Sequence, residues 1–164
     1  MKIKTLWLCV IVLGLATVAS AQTKISGTLQ CSKPDQQHAI EVGDRPNHAF
    51  VVSQRKCTWT KGFEILGSEA KDHVATEFSE VSGNSAAFQG IAVGTMASGD
   101  KYFDRFRAKA TLKDGLLESV EGTWSWAGGT GKLKGMKGKG TFKGKGEADG
   151  SATVEVEGEC ELPK

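Results

Sequence analysis

The sequence predicts an all-β fold, a closed antiparallel β-barrel of about eight strands. Three observations carry that reading. Strand-like runs recur at short intervals, separated by turn chemistry rich in Gly, Asn, Asp and Ser. No segment sustains an apolar period of 3.6 residues over about four turns, so no long amphipathic helix is expected. Only 3 prolines occur, and glycines stand inside the last strand-like runs, where they mark bends of a barrel wall or close approach of another group.

The first segment reads as a leader. Met1–Ala21 opens with Lys2 and Lys4, continues as the apolar run Leu6–Val18 and ends in Ala19-Ser20-Ala21, the pattern of a cleavable signal peptide. The apolar run is about 13 residues, short of the roughly 20 needed to span a bilayer. Cys9 follows Leu8 rather than a small residue at a cleavage point, so lipid attachment is not expected. Export to the periplasm or the extracellular space follows, with no membrane association after cleavage. The remaining residues, 22–164, are read as a single barrel domain. Of 21 basic and 19 acidic residues, Lys2 and Lys4 leave with the leader, so the mature chain is formally neutral and its charge points to no polyanionic partner.

The strands are expected at Ile25–Cys31, His48–Trp59, Phe63–Gly67, Val74–Val81, Ala87–Ala97, Lys101–Leu112, Leu116–Trp126, Met136–Glu147 and Ala152–Leu162. Turns fall at Ser82-Gly83-Asn84, Ser98-Gly99-Asp100, Lys113-Asp114-Gly115 and Ala148-Asp149-Gly150. Ser32–Asn47, with Pro34 and Pro46, is the one long irregular connection, a candidate lid over a barrel mouth.

Charge sets the register of the last hairpin. Lys137, Lys139, Lys143 and Lys145 share one face of their strand, and Glu155, Glu157, Glu159 and Glu161 share one face of the next. A three-residue loop with Gly150 left-handed brings Lys143 beside Glu155 and Lys139 beside Glu159, each exposed pair worth about 0.2–1 kcal/mol. A two-residue turn would put the two rows on opposite faces. The facing glutamates, and the lack of interleaved aromatics, argue against nucleic-acid binding. Lys132 is followed by Leu133, so the Gly129/Gly131/Gly135 run is no phosphate loop. The opposite face, Gly138, Gly140, Gly144 and Gly146 against Gly158 and Val156, is short of volume, leaving space for large side chains or a ligand.

Those large side chains lie in the preceding hairpin. With Lys113-Asp114-Gly115 as a second three-residue loop, Phe106 covers Gly122, Tyr102 meets Trp126 and Arg107 meets Glu121. The inward row then holds Tyr102, Asp104, Phe106, Trp124 and Trp126, the candidate ligand-binding residues. Asp104 is the polar position among them. It is either a rim carboxylate bonded to backbone or water, or a group that orients a ligand and has its pKa raised by burial.

Cys31, Cys57 and Cys160 remain after the leader. Export permits one disulfide, read as Cys31–Cys57 with Cys31–Cys160 the rival, since first and last strands become neighbours when a barrel closes. Three histidines and three cysteines show no paired ligand spacing, so neither a metal nor a cofactor is expected. No Ser sits in a G-x-S-x-G elbow, and no catalytic residues are assigned. His38 and His48 flank Asp44-Arg45-Pro46, a candidate loop site.

The segment Trp124-Ser-Trp-Ala-Gly-Gly-Thr-Gly-Lys-Leu-Lys-Gly-Met-Lys-Gly-Lys-Gly-Thr141 resembles the GGTGxFxGxxGxGT stretch of the allene oxide cyclase and dirigent-like barrels. The resemblance covers roughly Gly90–Leu162 and implies a calycin-like closed barrel with a hydrophobic cavity. In the characterised plant members it implies a cyclase or a guide of radical coupling. The glycine motif is structural there, and no catalytic motif carries over to this chain. The expected function is binding of a small hydrophobic or aromatic molecule inside the barrel. The alternatives are a cyclase- or isomerase-like enzyme that folds a bound hydrophobic substrate, and a structural or homo-oligomerising barrel filled by its own side chains.

Overall fold

The computed structural model describes residues 22–162, and the leader expected over 1–21 lies outside them. The strands are β1 (Gln22–Cys31), β2 (Gln36–Glu41), β3 (His48–Lys61), β4 (Glu64–Ile65), β5 (Ser68–Ser82), β6 (Ser85–Met96), β7 (Lys101–Lys113), β8 (Leu116–Gly129), β9 (Lys137–Gly146) and β10 (Ala152–Glu161). A 3-10 turn at Gly131–Leu133 joins β8 to β9. Pairing runs β3-β1-β10-β9-β8-β7-β6-β5 and returns from β5 to β3, which closes eight antiparallel strands into a barrel. Closure leaves none of these strands with a fully open edge.

Period-two alternation builds the wall. In β7, Tyr102, Asp104, Phe106, Ala108 and Ala110 are buried, while Lys101, Arg105, Arg107 and Lys109 are exposed. The β9–β10 hairpin has the register expected from charge: Lys143 faces Glu155, Lys139 faces Glu159 and Lys137 faces Glu161. Gly150 takes φ +84° at the end of the three-residue loop, and Lys139 Nζ lies 3.7 Å from Glu159 Oε1.

The β7–β8 hairpin departs from expectation. Its turn is the two residues Asp114 (φ 52°) and Gly115 (φ 77°), followed by a bulge between Thr111 and Leu112. Phe106 therefore faces Trp124, Asp104 faces Trp126, Arg107 faces Thr123, and Tyr102 faces Gly129. The bulge restores the lost residue, so the inward face is the expected one although the partners are shifted.

The expected irregular segment Ser32–Asn47 also contains a strand. β2 pairs with β3 alone, Ile40 opposite Phe50, and is exposed at every position, so its sequence shows no alternation. The expected Phe63–Gly67 strand shrinks to the two residues of β4.

A disulfide joins Cys31 to Cys57, and Cys160 is a buried free thiol. The glycine rows of β9 and β10 make room for indole rings. A Cβ on Gly158 would lie 2.4 Å from Trp124 Cζ2, and one on Gly138 would lie 2.4 Å from Trp126 Cε3. The tryptophans thus fill one quadrant of the barrel against bare backbone, and Trp124 Nε1–H donates to the Glu157 carbonyl at 3.2 Å.

Candidate binding site

The filling is partial. A cavity of about 520 Å³ remains inside the barrel, within the size range of small-molecule sites. All five expected residues, Tyr102, Asp104, Phe106, Trp124 and Trp126, line it.

Its floor is aromatic. Trp124 and Trp126 lie with ring centroids 5.3 Å apart, and Trp126 is 6.0 Å from Tyr102 and from Phe63. Trp59 closes the floor from β3 with an edge-on contact to Phe63 at 5.0 Å. Phe106 belongs to a higher rung, at 6.3 Å from Phe88 and 6.4 Å from Phe142. Phe106 therefore contributes to the wall rather than to the Tyr102–Trp126 cluster.

Polar groups on the floor form a chain. Trp59 Nε1–H donates to Tyr102 Oη at 2.9 Å, and Tyr102 Oη lies 3.4 Å from His73 Nδ1. Removal from bulk water lowers the His73 pKa to about 4, so its ring is neutral and accepts. Burial raises the Tyr102 hydroxyl well above its ordinary range, against the Trp59 hydrogen bond, and the phenol stays protonated.

Asp104 is 5% exposed, and among the described residues no side chain donates a hydrogen bond to it. Burial raises its pKa to about 7. It stands in the register row Arg55–Ala75–Ala92–Asp104, which crosses β3, β5, β6 and β7. Asp104 is thus a carboxyl group at the cavity wall, close to half-ionised at neutral pH, beside Trp126.

Several cavity residues escape the sequence reading. Trp59, Phe63 and His73 lie in the segment where no family resemblance was visible. Ser53, Arg55 and Glu77 form a polar cluster halfway up: Arg55 Nη2–H donates to Glu77 Oε1 at 3.1 Å, and Ser53 Oγ–H donates to the same oxygen at 2.9 Å. In β3 two polar residues interrupt the inward apolar row of Ala49, Val51, Cys57 and Trp59. Phe50 and Val52 face outward, while Ser53 and Arg55 face the cavity. Alternation does put Arg55 on the same face as Cys57 and Trp59, and that was the available signal.

Lys33 and Pro34, just before β2, and Gln37 on β2 also line the cavity. The expected His38/His48 loop site does not assemble. His38 is exposed on β2, whereas His48 is buried with Nδ1 on Asp44 and Nε2 3.0 Å from Glu80 Oε1. Both carboxylates draw the His48 pKa upward, the Asp44 bond foremost.

No protein-family model matches the chain, and no curated protein matches it. Among solved structures it is similar to two pterocarpan synthase dirigent proteins. GePTS1 is 14% identical with a TM-score of 0.51, the alignment covering 88% of this chain and 92% of that one. PsPTS1 is 14% identical with a TM-score of 0.50, covering 88% of this chain and 97% of that one. The fold is therefore the closed eight-stranded barrel of the dirigent type, in line with the resemblance of the glycine segment.

Proposed function

We propose that this chain is an exported barrel that binds a small hydrophobic or aromatic molecule in its cavity, with Asp104 as the polar handle. One observation carries the reading: a buried carboxyl group without a side-chain donor faces a cavity of about 520 Å³ beside Tyr102, Trp124 and Trp126. Burying a carboxyl group without a partner costs free energy, which a ligand hydrogen bond would offset. The Cys31–Cys57 disulfide fits an oxidising compartment.

Native mass spectrometry of protein purified from its own host tests this. A bound small molecule lost on unfolding is the expected result. An empty barrel, together with unchanged tryptophan fluorescence across a panel of hydrophobic compounds, rejects it.

A second reading is favoured by the Asp104 pKa of about 7. A carboxyl group poised near neutrality suits proton transfer to or from a bound substrate. The cavity would then hold that substrate in one folded conformation, as a cyclase- or isomerase-like enzyme requires. Under this reading Asp104→Asn lowers the rate and leaves affinity unchanged, whereas a binding barrel loses affinity.

A further inference from the structure

We infer that the cavity ligand carries an uncharged acceptor oxygen, a carbonyl, which is received by Arg55 on the wall across from Asp104. The inference rests on the binding reading above.

Arg55 reaches the cavity from β3 and its side chain is about four-fifths buried. One nitrogen, Nη2, is used by Glu77, whereas Nε is buried and has no partner. An orphaned N–H in an interior is costly, and a polar group brought into reach by a bound molecule relieves it. In the proposed bound state the guanidinium turns so that this donor meets the ligand oxygen.

Charge decides what kind of acceptor fits. Glu77 already neutralises Arg55, at 3.1 Å, and Ser53 also donates to Glu77. His73 is neutral, and the charge at Asp104 is negative when present. A carboxylate ligand would add a second anion to a balanced pair and pay its own desolvation. A neutral carbonyl accepts the hydrogen bond without either cost.

Distance sets the shape. Arg55 and Asp104 are three strands apart along one register row, about 14 Å along the wall at 4.8 Å per strand. Between them stand only Ala75 and Ala92, whose small side chains leave the span open. The ligand is thus an aromatic or apolar body with a carbonyl at one end and its other end toward Asp104.

Three probes of one shape test this by calorimetry: acetylnaphthalene, ethylnaphthalene and naphthoate. The wild-type protein is expected to bind acetylnaphthalene about tenfold more tightly than ethylnaphthalene, because a site with a buried donor rejects the analogue that cannot pair with it. Naphthoate should bind more weakly than acetylnaphthalene. The double variant Arg55→Met/Glu77→Met removes both charges together, so that neither is stranded. It should bind acetylnaphthalene and ethylnaphthalene within about twofold of each other.

Equal wild-type binding of the acetyl and ethyl compounds overturns the inference while leaving the cavity reading intact. So does tightest binding of naphthoate, or a preference that survives in a folded double variant. Binding of none of the three overturns the cavity reading itself, and this inference with it.

Discussion

Trp59 and Tyr102, 43 positions apart in the chain, meet across the barrel floor through an indole N–H to phenol oxygen hydrogen bond of 2.9 Å. Tyr102 is 1% exposed, and among the described residues its phenol oxygen is the side-chain acceptor of that N–H. Tyr102→Phe keeps the ring contacts with Phe63 and Trp126 and deletes the oxygen that links Trp59 and His73. The expected cost is about 1–3 kcal/mol of unfolding free energy, read from a urea transition. A change in tryptophan emission should accompany it.

Asp104 and His73 impose opposite pH dependences on stability. Asp104 titrates at about 7 when folded against 3.8 otherwise, so its stabilising proton is in place at low pH and is lost as pH rises through about 7. His73 titrates at about 4 against 6.5, so its contribution is in place above 6.5 and is lost as pH falls through about 4. The two nearly cancel between those limits, and the wild-type stability should be flat there. Asp104→Asn should unmask a stability that rises with pH across that window, and should stabilise the protein above pH 7 by about 2–4 kcal/mol. Thermal unfolding at several pH values gives the comparison. A wild-type profile as steep as that of the variant would refute the opposed pair.

Gly158→Ala places a methyl group 2.4 Å from both Trp124 Cζ2 and the Lys139 carbonyl oxygen. One neighbour is backbone and the other a ring wedged against Gly140, so neither yields easily. A loss of about 1–3 kcal/mol is expected, with a changed near-ultraviolet dichroism from the displaced indole.

Replacing both Cys31 and Cys57 with serine opens a link of sequence separation 26, worth about 3 kcal/mol. Hydrogen exchange should then rise first at the β1–β3 pairs, before the β7–β8 pairs. Uniform acceleration across all strands would contradict this.

Much of the wall was readable because alternation is strict in β7, β9 and β10. Parity fixed which face of β7 and β8 looks inward, so all five candidate residues line the cavity despite the shifted β7–β8 register. The shift itself was not readable: Asp-Gly and a three-residue loop use the same residues, and only the bulge at Thr111/Leu112 distinguishes them. The β3–β5 wall was hidden for another reason. Phe50 and Phe78 stack on the outside at 5.4 Å while Arg55 and Glu77 pair inside, which locally breaks the rule of apolar faces inward. β2 carries no periodicity because neither of its faces is covered.

The lateral joins of this barrel are unequal. Most adjacent strands are zipped over nearly their full length, but β1 and β3 share only the pairs from Thr28–Lys61 to Cys31–Cys57. The covalent clasp sits at the last rung of that shortest join. Loaded as a hoop, the barrel has its weakest seam there, and the disulfide reinforces it. The strength of that seam is therefore tied to the redox character of the compartment the barrel occupies, through a bond that also borders the cavity.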